Sequence, residues 1–184
     1  MTRLVLVGPP GAGKGTQATA LSEKLGIPHI STGDLFRKNI AEETELGRQV
    51  KHILDSGGLV PDDITNQMLI ERLHQPDTDD GFLLDGFPRN IGQAEVLSKV
   101  LAESDQKLDA VVQLEVDEDV LVGRLLSRGR SDDSEDVIRH RLHVYQSETA
   151  PLLDYYRDLL VTVDGVGEID QVTDRILAAL RDRT

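Results

Sequence analysis

The apolar run Arg3-Leu4-Val5-Leu6-Val7 ends at Gly8, passes through Pro9-Pro10-Gly11-Ala12-Gly13, and gives way at Lys14 to a stretch with helical spacing that lasts to Leu25. A buried strand feeding a glycine-rich turn that opens a helix constrains this chain more than any other feature. Glycines let the backbone curl until successive N–H groups point inward, and the helix N-terminus adds partial positive charge. Lys14 supplies a full one, so the turn is a phosphate cradle of the P-loop kind, with the lysine reaching the β- and γ-phosphates of a nucleotide. The usual Ser or Thr after the lysine is replaced by Gly15, and the hydroxyl comes one residue later at Thr16. That departure weakens the case for a loop hydroxyl as a direct Mg²⁺ ligand.

The rest of the chain alternates strands and helices. Pro28-His29-Ile30, Phe82-Leu83-Leu84, Ala110 to Leu114 and Leu159 to Val163 read as further strands. Ser31-Thr32-Gly33-Asp34 starts a helix, with an acidic residue three positions after a serine. Leu46, Val50 and Ile53/Leu54 form one apolar stripe closed by Gly57-Gly58, and Pro61 suits the first turn of a helix carrying Ile64, Met68 and Leu73. Helices are predicted over about Asn90 to Glu103, Asp117 to Ser127, Asp133 to Tyr156 and Ile169 to Leu180, with Pro151 expected to kink or split the third. Strands that are apolar throughout indicate a parallel sheet covered on both faces, an α/β fold with one core domain. The helical stretch of about 32 to 61 is expected to form a mobile flap on it.

Composition narrows the partners. The 184 residues suffice for one good core. There is no cysteine, which excludes disulfides and a thiolate zinc site and leaves a cytoplasmic location as the expectation. The longest apolar runs are strand-sized, and no membrane span or signal peptide is read. A formal net charge of -13 disfavours nucleic acid as a partner. Positive charge is nevertheless focused, since Arg124, Arg128, Arg130, Arg139 and Arg141 lie close together in an otherwise acidic chain.

A second motif sharpens the reading. Asp85 ends an apolar strand, the position from which P-loop enzymes hold Mg²⁺ directly or through water, and it leads into Gly86-Phe87-Pro88-Arg89. Together, Gly8 to Thr16 (GPPGAGKGT), Ser31 to Arg37 (STGDLFR), Asp85 to Arg89 (DGFPR), Arg128 to Asp133 (RGRSDD) and Arg141 resemble the adenylate kinase family over essentially the whole chain. The resemblance implies a five-stranded parallel sheet, an AMP-binding flap at about 32–60, and a short lid at about 129–132 that closes over ATP. The core would be 1–31, 61–128 and 133–184. Gly33 and Gly57-Gly58 would be hinges of the flap, and Gly129 would hinge the lid. Lacking the long lid with its zinc-binding cysteines, the chain resembles the short form and needs no structural zinc.

The resemblance also implies roles, residue by residue. Gly11, Ala12, Gly13, Lys14, Gly15 and Thr16 would bind the ATP phosphates. Arg124 and Arg128, four apart on one helix face, would contact ATP, with Arg124 placed to stack on adenine and Gly167 giving a backbone contact. Thr32, Arg37, Gly58, Leu59, Val60, Gly86, Phe87, Pro88, Arg89 and Gln93 match AMP positions. Of these, Arg37 and Arg89 would grip the phosphate and Gln93 the adenine edge. Arg130 and Arg141 would bind the transferring phosphoryl group, completing a catalytic set of Lys14, Arg89, Arg124, Arg130 and Arg141. Asp85 would hold Mg²⁺ through water. Asp132 and Asp133 have two readings, water-mediated support of Mg²⁺ or capping of the next helix. Arg139 matches no family site and is expected in solvent, and the five histidines show no ligand spacing.

The implied activity is reversible Mg²⁺-dependent phosphoryl transfer from ATP to AMP, giving two ADP, by a monomer. A UMP/CMP kinase shares most of these motifs, but Thr32 and Gln93 favour AMP. Nothing in the residues decides between ATP and GTP as donor. A GTPase switch would carry an Asn-Lys-x-Asp motif, which is absent. An ATPase would have no use for Arg37, Arg89 and Gln93 arranged around a second nucleotide, while a nucleotide-binding regulatory module remains an alternative that turnover decides.

Overall fold

A computed structural model describes residues 2–58, 60–127 and 134–183. Strand β1 (Thr2–Val7) lies at the centre of a five-stranded parallel sheet with β2 (His29–Ser31), β3 (Gly81–Asp85), β4 (Ala110–Glu115) and β5 (Leu160–Asp164), in the order β2-β3-β1-β4-β5. The helices are α1 (Lys14–Leu25), α2 (Thr32–Ala41), α3 (Glu45–Asp55), α4 (Asp62–Leu73), α5 (Ile91–Glu103), α6 (Glu118–Ser127), α7 (Glu135–Tyr155) and α8 (Ile169–Arg183), with a 3-10 turn at Pro76–Thr78. No helix among the described residues is long and apolar enough to cross a membrane.

Side-chain alternation explains why the strands had to be apolar throughout. Along β1, Leu4 and Leu6 pack with Ala18 and Leu21 of α1 and Leu121, Val122 and Leu125 of α6, while Val5 and Val7 pack on the other face with Leu97 and Leu101 of α5 and Leu152 of α7. Each fully buried leucine contributes roughly 1.5–3 kcal/mol, so both covered faces are needed to fix the sheet. β5, the edge strand, differs. Its exposure alternates, with Val161 and Val163 buried and Thr162 exposed between them. It also begins at Leu160, one residue later than its apolar pattern predicts.

Three other sequence expectations are corrected. α7 runs unsplit through Pro151. The proline sits in the helix's last turns, where it removes one backbone hydrogen bond, and the neighbouring Thr149 and Leu152 are buried and anchor the segment. Leu54 is exposed, so the α3 stripe runs through Leu46, Val50 and the half-buried Ile53. Arg139 is half-buried rather than free in solvent, pairing with Glu118 and Asp119 of α6 at 3.2 and 3.0 Å and with Glu135 of its own helix at 3.0 Å.

α2 and α3 stand on a separate apolar cluster of Leu46, Val50 and Met68, flanked by Phe36, Ile40, Val60 and Ile64. A Cβ on Gly47 would lie 2.0 Å from the Asn39 carbonyl oxygen, so glycine alone permits this approach of the two helices. α3 then stops in a Schellman turn. Gly57 adopts φ 80°, its N–H donates to Leu54 O at 3.0 Å, and the Gly58 N–H donates to Ile53 O at 2.9 Å.

Candidate active site

The glycine-rich turn connects β1 to α1 at the carboxyl edge of the sheet, where strands wind away from β1 in both directions and open sheets of this kind bind ligands. Gly11 and Gly13 take left-handed conformations, φ 84° and 85°. A Cβ on Gly11 would also press on Leu125 at 3.1 Å, whereas one on Gly13 or Gly15 would meet nothing within 4 Å. Gly13 caps α1 without a side-chain hydrogen bond, and no acidic residue lies in the first turn. The leading N–H groups of α1 therefore have no capping side chain, which with the helix dipole makes an anion seat.

Lys14 is held by β3. Its Nζ lies 2.8 Å from Asp85 Oδ1, while His29 Nε2 lies 3.1 Å from Asp85 Oδ2. The His29 contact follows from the parallel register: Ser31 pairs with Asp85, and His29, two residues earlier, presents its side chain to the same face. Burial pushes the Asp85 carboxyl up, but the hydrogen bonds from His29 and Lys14 outweigh it and hold the group below its ordinary value.

Three adjoining cavities lie along the described residues. The central cleft, about 600 Å³, is lined by the turn from Gly8 to Thr16 (Ala12 excepted), by Gly86, Pro88 and Arg89, and by Arg141, Tyr145, Glu148 and Thr149 of α7. Gly86 and Arg89 also line a cavity of about 310 Å³ with Thr32, Phe36, Leu54, Val60, Asp62, Thr65 and Gln93. Gly11, Gly13 and Thr16 line a third, of about 240 Å³, with Ala12, Gln17, Arg124, Gly165, Gly167 and Ile169. The site is thus a cationic, N–H-lined cleft with a side cavity at each end.

Most of the expected residues converge there, with exceptions. Arg124 of α6 donates to the Gly11 carbonyl at 3.1 Å and the Gly165 carbonyl at 3.4 Å, tying the glycine-rich turn to the loop after β5. Arg37 and Gly58 line none of the three cavities; Arg37 is exposed and pairs with Asp34, whose carboxyl it holds low. Phe87 is buried in the core and contributes no cavity surface. Leu59, Arg128, Arg130, Gly129, Asp132 and Asp133 lie outside the described residues.

Sequence reasoning missed several neighbours. Gln17 is buried, donating to the Ile169 carbonyl at 3.1 Å and accepting from Thr173 at 2.6 Å, which fixes α8 against the start of α1. Asp62 accepts from both Gln93 and Asn90 at 3.0 Å. Tyr145 faces the central cleft, and burial pushes its phenol up to about 12, so at neutral pH it keeps its proton. None carries a local motif; only the tertiary arrangement marks them.

Comparison with known proteins agrees with this geometry. The family model described as adenylate kinase matches residues 6–160. The chain is 60% identical to an adenylate kinase of Nocardia farcinica, 59% to one of Rhodococcus erythropolis and 58% to one of Mycolicibacterium smegmatis, in each case over 97% of this chain and 98% of the relative. With its strand–turn–helix cradle, its double-ended cleft and this likeness over nearly its full length, the chain belongs to the adenylate kinase family and is a nucleoside monophosphate kinase.

Proposed function

We infer that this enzyme transfers the terminal phosphoryl group of ATP to AMP, reversibly, giving two ADP. The observation that carries the reading is the double-ended cleft: a phosphate-binding turn at its centre and a nucleoside-sized cavity at each end. ATP would place its phosphates on Gly11 to Thr16 and its adenosine in the cavity with Arg124 and Gly167, Arg128 adding a further contact. AMP would occupy the cavity with Thr32, Val60, Gly86, Pro88, Arg89 and Gln93, with Arg37, Gly58, Leu59 and Phe87 completing that side of the site.

Phosphoryl transfer asks mainly for positioning and for charge opposite the moving group. Arg89 lines both the central cleft and the acceptor cavity, so its planar fork can grip the AMP phosphate in line with the donor. Arg141 and Arg130 would face the transferring group. Lys14 exchanges Asp85 for phosphate oxygens when ATP binds, which frees one carboxylate oxygen while His29 holds the other. No general base is needed, because the AMP phosphate is already an anionic nucleophile.

The site suits Mg²⁺ brought by the nucleotide. The described residues contain no cluster of three or more His, Asp or Glu able to hold a metal, and the carboxylate beside Lys14 is that of Asp85. Mg²⁺ commonly takes one or two carboxylates plus substrate phosphates and keeps several waters, so Asp85 would hold it through water. Bound with the nucleotide, the ion would supply positive charge that offsets the charge developing on the transferring phosphoryl group.

The flap of 32–60 belongs to the same proposal, supported by the apolar cluster that α3 and the later part of α2 share with α4, apart from the main core, which takes only Leu35 from α2. So do the short lid at 129–132 and a cytoplasmic monomer, on the family pattern and the cysteine-free sequence. The test of the acceptor is a panel of AMP, CMP, UMP and GMP with ATP and Mg²⁺. We expect kcat/KM for AMP to exceed the others by at least about 10²-fold. A preference for CMP or UMP would overturn the assignment of Thr32 and Gln93.

A further inference from the structure

Gln93 is buried, and both ends of its amide are already engaged. Its Oε1 accepts the backbone N–H of Arg89 at 2.8 Å, and its Nε2 donates to Asp62 Oδ1 at 3.0 Å. A glutamine amide is normally ambivalent, since a half-turn exchanges its donor and acceptor. Here both partners oppose the exchange. A backbone N–H can only donate, and an ionised carboxylate can only accept, so chemistry fixes which end is oxygen.

Asp62 is itself held in place. It is the first residue of α4, where a carboxylate complements the helix dipole, and its Oδ2 accepts from Asn90 Nδ2 at 3.0 Å. Asn90 in turn cannot rotate its amide freely, because its Oδ1 caps α5 by accepting the Gln93 N–H at 2.9 Å. The result is a closed ring, with each donor facing an acceptor. After these bonds the Gln93 amide retains one N–H and one oxygen lone pair, and it lines the acceptor cavity together with Asp62.

A donor beside an acceptor in fixed order is complementary to the Watson–Crick edge of adenine, which offers N1 as acceptor and its exocyclic amine as donor. A 6-oxopurine presents the reverse, an N1–H donor and an O6 acceptor, and could pair only if the amide turned over. We propose that Asp62 is a specificity-determining positioning residue: by locking the orientation of Gln93 it makes the acceptor site read 6-aminopurines and reject 6-oxopurines. The proposal rests on the assignment of this cavity to the acceptor base.

The test measures kcat/KM for AMP and for IMP, whose base carries the reversed edge without an added 2-amino group. D62A removes both acceptor oxygens. D62N, nearly isosteric and a guard against misfolding, leaves one oxygen for two donors. In both variants the AMP-to-IMP ratio should fall about tenfold, with the KM for ATP changed less than about twofold. In a Q93A background the same Asp62 changes should leave the ratio where Q93A alone sets it. An unchanged ratio in both Asp62 variants, or an equal fall without Gln93, would overturn the lock and leave Asp62 as a helix cap. Wild-type enzyme that favoured IMP over AMP would defeat the acceptor assignment itself, and the lock with it.

Discussion

Replacing Lys14 with methionine is expected to lower kcat about 10³-fold while leaving the protein folded. The methionine keeps most of the side chain's length and removes its charge, so what is lost is the cation opposite the β- and γ-phosphates, an effect of the size seen when one preorganised donor to a transition-state anion is deleted. The structure adds a second consequence. Lys14 is also the 2.8 Å partner of Asp85, whose side chain is only 11% exposed, and in the variant that carboxylate keeps His29 alone. The nucleotide-free protein should therefore lose about 1–3 kcal/mol of stability at neutral pH. The sign with pH follows from the lowered folded-state pKa of Asp85. Its contribution is fully present above the ordinary value of 3.8 and is lost as pH falls through the folded value. Without Lys14 the folded value rises toward the ordinary one, so wild type and variant should converge in stability at strongly acid pH. Denaturant melts at neutral and acid pH, beside steady-state rates, check both parts. Wild-type turnover in the variant would remove Lys14 from the phosphate site.

Arg89→Ala should act on the other substrate. Arg89 is exposed, its Nε donates to the Gly86 carbonyl at 3.0 Å, and it lines both the central cleft and the acceptor cavity. We expect kcat/KM for AMP to fall about 10²–10³-fold, the KM for AMP to rise at least about tenfold, and the KM for ATP to stay within about twofold. Arg89→Lys should recover little, because a single ammonium cannot reproduce a planar bidentate grip. An exposed side chain with no core contact predicts no loss of stability, so a thermal melt close to wild type is part of the expectation. A variant in which ATP and AMP suffer equally would mean that Arg89 serves the shared transition state and not the acceptor.

These two residues show what local sequence can reveal. Lys14 and Arg89 sit in short motifs whose glycines and prolines dictate the backbone, so their positions were legible without any tertiary information. The parallel sheet was legible for a similar reason: Leu4 to Val7, Phe82 to Leu84 and Ala110 to Val112 are apolar on both faces, which only a doubly covered sheet requires. What stayed hidden depends on register and on distant pairing. His29 meets Asp85 because β2 and β3 align Ser31 with Asp85, a fact about two strands separated by more than fifty residues. Asp62 meets Gln93 only because the start of α4 and the start of α5 converge. Arg139 looked solvent-exposed because two of its acidic partners, Glu118 and Asp119, lie on a different helix. Pro151 reads as a kink or a split from intrinsic propensity alone, which ignores the buried Thr149 and Leu152 beside it; the helix is not split.

The central claim is that two adenine nucleotides meet across one phosphate-lined cleft and exchange a phosphoryl group in either direction. Incubating the purified protein with Mg²⁺ and ADP alone, and following all three adenine nucleotides, tests it without any second enzyme. The account predicts that ATP and AMP appear together in equal amounts, with no release of inorganic phosphate. Phosphate release without ATP, or no change in ADP at all, would contradict it.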